Sequence, residues 1–253
     1  MLIDVHCHLD MLEKEGVHVG EAIARARKAD VGMIIVNGVN PRNNRSILAL
    51  AAQFPEGQAS LGMYPIDALA LSDSEIDDEI EFLRRRRDDF VAVGEIGLDL
   101  KEDSLHENFS KQKMVFEKFV KLAIELNKPV IVHSRKAEFE TVELLEKIGA
   151  KKVIMHCFSG KMKLVDRLIK NGWCLSIPAN VVYSQQFQDV VKRVPLQNLF
   201  CETDAPYLHP AKEWPNEPAN VINSYKKIAE IKKMELKDVV KKIAENYKRL
   251  FNG

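Results

Sequence analysis

The stretch IDVHCHLD at residues 3–10 holds two histidines one residue apart, with Asp4 and Asp10 beside them. Leu2, Ile3 and Val5 mark it as a strand. Side chains alternate along a strand, so His6 and His8 share a face, Asp4 and Asp10 are expected on that side, and Cys7 points the other way. Two imidazoles side by side suit a metal ion, although so short a motif also fits two solvated histidines. Further along, Glu95 sits in VAVGEIGLD, His133 ends PVIVHS, His156 nearly ends KKVIMHCF and Asp204 ends LFCETD. Each follows an aliphatic run, where an isolated charge is costly to bury. Singly, His133 and His156 read as hydrogen-bonded core histidines, Glu95 as the partner of a buried arginine, and Asp204 as a cap on the turn into Ala205-Pro206. Their shared place at strand ends argues for a common site. Four imidazoles and two carboxylates are enough for two divalent ions, one carboxylate bridging. Such a pair acidifies water and stabilises attacking and leaving oxygens, as hydrolysis of a phosphodiester or another polar bond requires. Nitrogen-rich ligation admits Zn, Mn, Fe or Ni, and Mg stays open.

Two turns offer anion contacts. HSRK puts Ser134 and Arg135 directly after the His133 strand, at an expected helix start. HCFSGK puts Ser159, Gly160 and Lys161 ahead of the helical pattern MKLVDRLIKNG. Helix N-termini bind phosphate through free N–H groups, and Arg matches phosphate geometry. An ordinary βα turn, with Ser159 as the cap, accounts for the same residues. SGK is not a P-loop, because the required upstream glycine is missing.

These residues need elements to hold them. Eight strand-like runs appear: LIDVHCHL, VGMIIVNGV, QASLGMY, FVAVGEIGLD, PVIVHS, KKVIMHCF, WCLSIPAN and LFCETDA. Helical patterns separate nearly all of them, which implies parallel βαβ units. Ser72 and Glu75 form an expected capping box for SDSEIDDEIEFLRRRR. Residues 105–127 carry apolar positions at helical spacing (Val115, Phe116, Phe119, Leu122, Ala123, Leu126). Ala219 to Phe251 reads as two more helices with a weak break near Met234. Eight units in 253 residues favour a (β/α)8 TIM barrel with an extra C-terminal helix, occupying residues 1–253 as a single domain. Strand C-termini of such a barrel converge on one mouth.

Composition narrows the function. The 37 basic and 37 acidic residues cancel, so no global field draws in nucleic acid or membrane. RRRR at 84–87 ends a helix, where cations are favourable, on the barrel face opposite the βα loops; it reads as a solvated helix end. Cys7, Cys157, Cys174 and Cys201 are scattered without a Cys-x-x-Cys pair, as expected of reduced thiols in a cytoplasmic protein. No apolar run approaches the ~20 residues of a membrane span, and no obligate protein partner is evident.

IDVHCHLD at 3–10, VGEIGLD at 93–99, PVIVHSR at 129–135, HCFSG at 156–160, ETDAPYL at 202–208, NEPAN at 216–220 and ENYKRLF at 245–251 occur in order over nearly the whole chain. In these motifs the sequence resembles the TatD-like metal-dependent hydrolases, among the amidohydrolase-type barrels. The resemblance implies a distorted (β/α)8 barrel in which His6, His8, Glu95 and Asp204 hold one metal, Glu95 bridges, and His133 and His156 hold the second. It implies DNA as substrate, with 3′→5′ exonuclease and endonuclease activities; some members act on RNA, and related proteins deacylate D-aminoacyl-tRNA. Two departures stand out. The family usually has Gly-x-His-Pro-His after its third strand, where this chain reads GMYPIDA, with Tyr64 and Ile66 in place of the histidines. It also usually has a basic loop before Asn-Glu-Pro, where this chain reads HPAKEWPNEP with Lys212 as the only lysine or arginine. The leading expectation is a metal-dependent nuclease in which Asp204 is a ligand and general base, and Arg135 and the Ser159–Lys161 turn hold phosphate. Glu202 orients Asp204 or binds substrate, and Tyr64 contacts substrate without acting as the main acid. A hydrolase of another bond (ester, lactone or amide) and a non-catalytic metal scaffold are the alternatives.

Overall fold

The computed structural model describes residues 1–252. Among them are strands β1 (Leu2–Cys7), β2 (Val31–Asn37), β3 (Gly57–Met63), β4 (Ala92–Gly97), β5 (Val130–His133), β6 (Val153–Met155), β7 (Cys174–Pro178) and β8 (Leu199–Glu202). Helices are α1 (Leu9–Lys14), α2 (Val19–Lys28), α3 (Pro41–Ala51), α4 (Asp73–Arg85), α5 (Phe109–Glu125), α6 (Glu138–Ile148), α7 (Met162–Lys170), α8 (Gln185–Arg193), α9 (Ile222–Lys232) and α10 (Leu236–Phe251). The strands follow one another in the sheet in chain order, parallel wherever the ladders are resolved. With strand and helix alternating, this is the expected (β/α)8 barrel, and α10 is the extra C-terminal helix.

Two compact units make up the chain. The first comprises Met1–Val36, Leu50–Gln58 and the chain from Cys174. It contains the meeting of β1 with the end of β8. His8 N–H donates to the Ala205 carbonyl at 2.8 Å, and Asp204 N–H donates to the His6 carbonyl at 2.9 Å. Side chains tie this seam as well. The buried Asp4 carboxylate accepts the Thr203 N–H at 2.9 Å and its hydroxyl at 2.5 Å. The Tyr225 hydroxyl, from α9, serves both the N–H and the carbonyl of Ile3 at 3.0 Å. Asn246 of α10 donates to the carbonyls of Leu196 and Leu199. Through Tyr225 and Asn246, the two helices that follow the last strand are tied to β1 and to the start of β8.

The second unit comprises Asn37–Ala49 and Ala59–Trp173. Its centre is β4, AVGEIG, buried along its whole length. Gly97 pairs with His133 of β5. It has φ +154, and a Cβ there would lie 1.9 Å from the His133 carbonyl oxygen. Only glycine lets the two strands approach so closely beside Glu95. The α5 residues Val115, Phe116, Phe119, Leu122 and Ala123 are buried, as their spacing predicts.

Several boundaries differ from expectation. The first strand stops at Cys7 and Asp10 lies in α1, so strand alternation does not place Asp10 beside His8. The helix expected from Leu105 starts at Phe109. Asp103 accepts the Asn108 N–H and His106 adopts φ +58, which turns the chain before the helix. Likewise α6 begins at Glu138 rather than at Ser134, after a left-handed Lys136. The Ser72–Glu75 capping box is present at α4. Among the described residues no helix is long and apolar enough to cross a membrane.

Candidate metal centre

The first unit brings together His6, His8 and Asp204. The two Nε2 atoms are 3.2 Å apart, and Asp204 Oδ1 lies 3.5 Å from that of His6 and 3.7 Å from that of His8. Two imidazole nitrogens that close, facing one carboxylate oxygen, call for a shared proton or a cation between them. His6 and His8 are buried. Asp204 has φ +55, a left-handed conformation that Asp tolerates better than most residues. Its N–H is held by the His6 carbonyl and its own carbonyl accepts the Tyr207 N–H at 2.8 Å. Asp4, two residues before His6, anchors Thr203, the residue before Asp204. Burial pushes Asp4 up to about 8, against the pull of its bonds from Thr203.

The second unit brings together Glu95, His133 and His156. Glu95 Oε1 lies 2.8 Å from His133 Nδ1 and 3.5 Å from His156 Nε2, and the two imidazoles stack with centroids 5.8 Å apart. The ligand atoms of the three lie within 4.8 Å of one another. On its far side His133 Nε2 contacts Asp99 Oδ2 at 2.9 Å. A carboxylate behind a histidine fixes the ring and its tautomer, leaving the other nitrogen for a metal. The nitrogen–oxygen donor sets of both trios fit a divalent transition ion.

Asp99 is the residue that reading the sequence for ligands overlooked, although it closes the VGEIGLD motif. Its Oδ2 also accepts the Tyr64 hydroxyl at 2.8 Å, and its Oδ1 accepts the N–H groups of Lys101 and Glu102, both at 2.8 Å. The buried Gln112 of α5 clamps its backbone, accepting the Asp99 N–H at 2.8 Å and donating to its carbonyl at 3.1 Å. Burial pushes Asp99 upward, but the bonds from His133, Glu102 and Tyr64 prevail and hold it down at about 2. Burial works against a charged His133, yet Asp99 and Glu95 raise it overall. Burial and the neighbouring Asp99 push the Tyr64 phenol well above its ordinary value, so it keeps its proton.

The residues expected to contact substrate are more dispersed. Arg135 is half exposed and pairs with Glu102 at 3.3 Å. Ser159 donates to Glu138 at 3.2 Å; it is not the cap of α7, whose N-terminal flanking residue is Lys161, with no side-chain bond to the helix. Gly160 is buried against the Phe158 ring, where a Cβ would lie 2.5 Å from a ring carbon. Glu202 is buried and accepts the Ser176 hydroxyl of the adjacent strand at 2.5 Å.

Known proteins match the chain over nearly its whole length. The family profile described as TatD related DNase matches residues 3–252. The chain belongs to this family. An uncharacterized metal-dependent hydrolase of Methanocaldococcus jannaschii is 33% identical over 250 residues, covering 98% of this chain and 96% of that protein. Human deoxyribonuclease TATDN3 is 30% identical over 259 residues, covering 99% and 94%. The crystal structure of the TatD homologue YjjV from Escherichia coli superposes with a TM-score of 0.89 at 30% identity, over 100% of this chain and 98% of that one. The protein is a metal-dependent hydrolase of the TatD family.

Proposed function

We propose that the protein is a two-metal nuclease that removes nucleotides from the 3′ end of single or frayed DNA strands. The observation that carries this reading is the pair of donor trios, His6–His8–Asp204 and Glu95–His133–His156, each supplied by strand ends of a TatD barrel. The named relative of human origin is a deoxyribonuclease, and the exonuclease polarity follows the family resemblance. In this reading residues 1–253 form one catalytic domain, in which His6, His8 and Asp204 would hold one divalent ion and Glu95, His133 and His156 the other. Zn, Mn, Ni, Fe and Mg are the candidates. When bound, two divalent ions supply an acidified water and charge stabilisation on the phosphate oxygens.

The chain's own residues do the rest. Asp204, fixed by its left-handed turn, takes the proton of the attacking water. Asp99 holds His133 in the tautomer that presents Nδ1 toward Glu95. Arg135 and Lys161 supply cations for phosphate, with Ser159 and Gly160 shaping the turn that carries Lys161. Glu202, through Ser176, keeps β8 in register two residues before Asp204. Tyr64 steadies Asp99 and meets substrate as a neutral phenol. Four free cysteines, three of them buried, accord with a reducing cytoplasmic setting.

The test is turnover of end-labelled single-stranded DNA, duplex DNA, RNA, D-aminoacyl-tRNA and small esters with each metal, using His6→Ala as the blank. A ladder shortening from the 3′ end of single-stranded DNA is the expected result. Turnover of an ester or aminoacyl-tRNA without cleavage of any DNA would replace this reading with that of an esterase.

A further inference from the structure

Four aromatic side chains are well exposed among the described residues: Phe139, Tyr183, Tyr207 and Trp214. Three of them lie together on the first unit, in segments that follow β7 and β8. Tyr207 and Trp214 are 44% and 55% exposed and meet edge to face with centroids 5.6 Å apart. Their loop is the one that carries Asp204, and the Tyr207 N–H is bonded to the Asp204 carbonyl. Tyr183 is tied to the same loop by its hydroxyl, which donates to the His209 carbonyl at 3.2 Å.

The rings are held in place. Trp214 Nε1 donates to Glu15 at 2.7 Å, and the Tyr207 hydroxyl points to the Met11 sulfur. The buried Asn216 donates to the carbonyls of Thr203 and Tyr207 at 2.9 and 2.7 Å, pinning both ends of the turn that bears Asp204. Exposed rings whose orientation is already fixed lose little entropy on binding a flat partner.

Charge decides what that partner is. Residues 203–217 contain one lysine, Lys212, and no arginine, against Asp204, Glu213 and Glu217. Lys212 itself lies over the Tyr183 ring, 4.9 Å from its centroid. Such a loop is poorly made to follow a phosphate backbone and well made to receive π faces, which every nucleobase offers.

We propose that Tyr207 and Trp214, flanked by Tyr183, form a stacking platform for the bases of single-stranded DNA beside Asp204. The proposal deepens the nuclease reading and rests on it. Recognition by ring faces makes the site tolerant of base sequence and selective for unpaired strands, since paired bases keep their faces in the duplex stack.

The chain has two tryptophans. Trp173 is buried and Trp214 exposed, so fluorescence quenching reports Trp214. The metal-loaded protein is titrated with a phosphorothioate oligo(dT), which resists hydrolysis, and with an abasic oligomer of the same length. Oligo(dT) is expected to quench and to bind about tenfold or more tightly than the abasic strand. Read by the anisotropy of fluorescein-labelled phosphorothioate oligo(dT), which needs no protein tryptophan, Trp214→Ala and Tyr207→Ala each weaken binding about tenfold, with an unchanged salt slope because no phosphate contact is lost. Trp214→Phe, which keeps a π face, retains most of the affinity, and melting curves confirm that the variants fold. Equal affinity for abasic and base-bearing strands overturns the platform. So does a Trp214→Ala protein that binds oligo(dT) normally yet self-associates less by sedimentation, which marks a protein interface. Cleavage of DNA unaffected by Trp214→Ala removes the platform alone, whereas quenching by oligo(dT) without any DNA cleavage removes the nuclease reading and keeps the platform.

Discussion

At the scale of single residues the site is a set of charges that cannot be left bare. His6, Glu95 and His156 are buried at the ends of aliphatic strands, and that cost is what made them legible in the sequence. Asp99 escaped notice because its importance depends on a contact with His133, 34 positions away, which no local pattern encodes. Its carboxylate takes four hydrogen bonds, so its loss frees the His133 ring. Asp99→Ala is expected to weaken metal binding at the His133 trio about 10–100-fold, measured by titration with a metal-sensitive dye, while leaving the Asp204 trio close to normal. Equal weakening of both trios would mean that Asp99 acts on the fold and not on His133. Tyr64→Phe removes only one of the four bonds. Burial and Asp99 push its phenol well above the ordinary value, which makes it a poor proton donor, and the substitution is expected to slow DNA hydrolysis about tenfold or less, under ~1.4 kcal/mol. A thousandfold loss with full metal content would show that the hydroxyl takes part in the chemistry.

At the scale of elements, strands were easier to read than the turns between them. Each predicted strand exists, because aliphatic runs of this length are buried on both faces of a parallel sheet. The turns were misjudged where a single residue redirects the chain, Asp103 by its side-chain bond before α5 and Lys136 by its left-handed backbone before α6. The loop after β8 is the case with most consequence. NEPAN was visible as a motif, yet only the structure shows Asn216 as a latch. Its side chain bonds the Thr203 and Tyr207 carbonyls, the Glu217 N–H and the Asn220 amide. Asn216→Ala strands two carbonyls in a buried turn, at about 2–4 kcal/mol, or a fall of roughly 10 °C in melting temperature for a chain of this size. It should also weaken metal binding by His6, His8 and Asp204. Asn246→Ala, which strands the Leu196 and Leu199 carbonyls at the opposite end of β8 from Asp204, provides the comparison. Similar destabilisation with metal affinity intact in Asn246→Ala, but not in Asn216→Ala, distinguishes a latch on the site from a stabiliser of the fold.

At the scale of the whole molecule, two quantities follow from how ligands and charges are distributed. Each compact unit carries one trio, so metal-replete protein is expected to hold two ions per chain. Asp204→Ala and His156→Ala should each reduce that to about one by elemental analysis, and content below one in the parent protein would end the two-metal reading. Each ion at a hundred times its Kd adds about 2.7 kcal/mol, so stripping both with a chelator should lower the melting temperature by roughly 10–20 °C. Charge has the opposite character, being spread and cancelled. The arginines at 84–87 look basic in sequence, but Arg84 binds Glu125 and Glu81, Arg86 binds Asp89, and Arg87 faces Asp88. They end α4, where the helix dipole already favours them. With 37 charges of each sign and three of these four arginines paired with carboxylates, a bound strand meets few uncommitted cations. Affinity for single-stranded DNA should therefore fall gently with salt, as for fewer than about six phosphate contacts at ~0.7 per contact in the log–log slope. Replacing Arg84 and Arg85 by Gln should leave that slope unchanged. A steep slope that flattens in the double variant would place DNA on α4 and remove it from the loops that follow the strands.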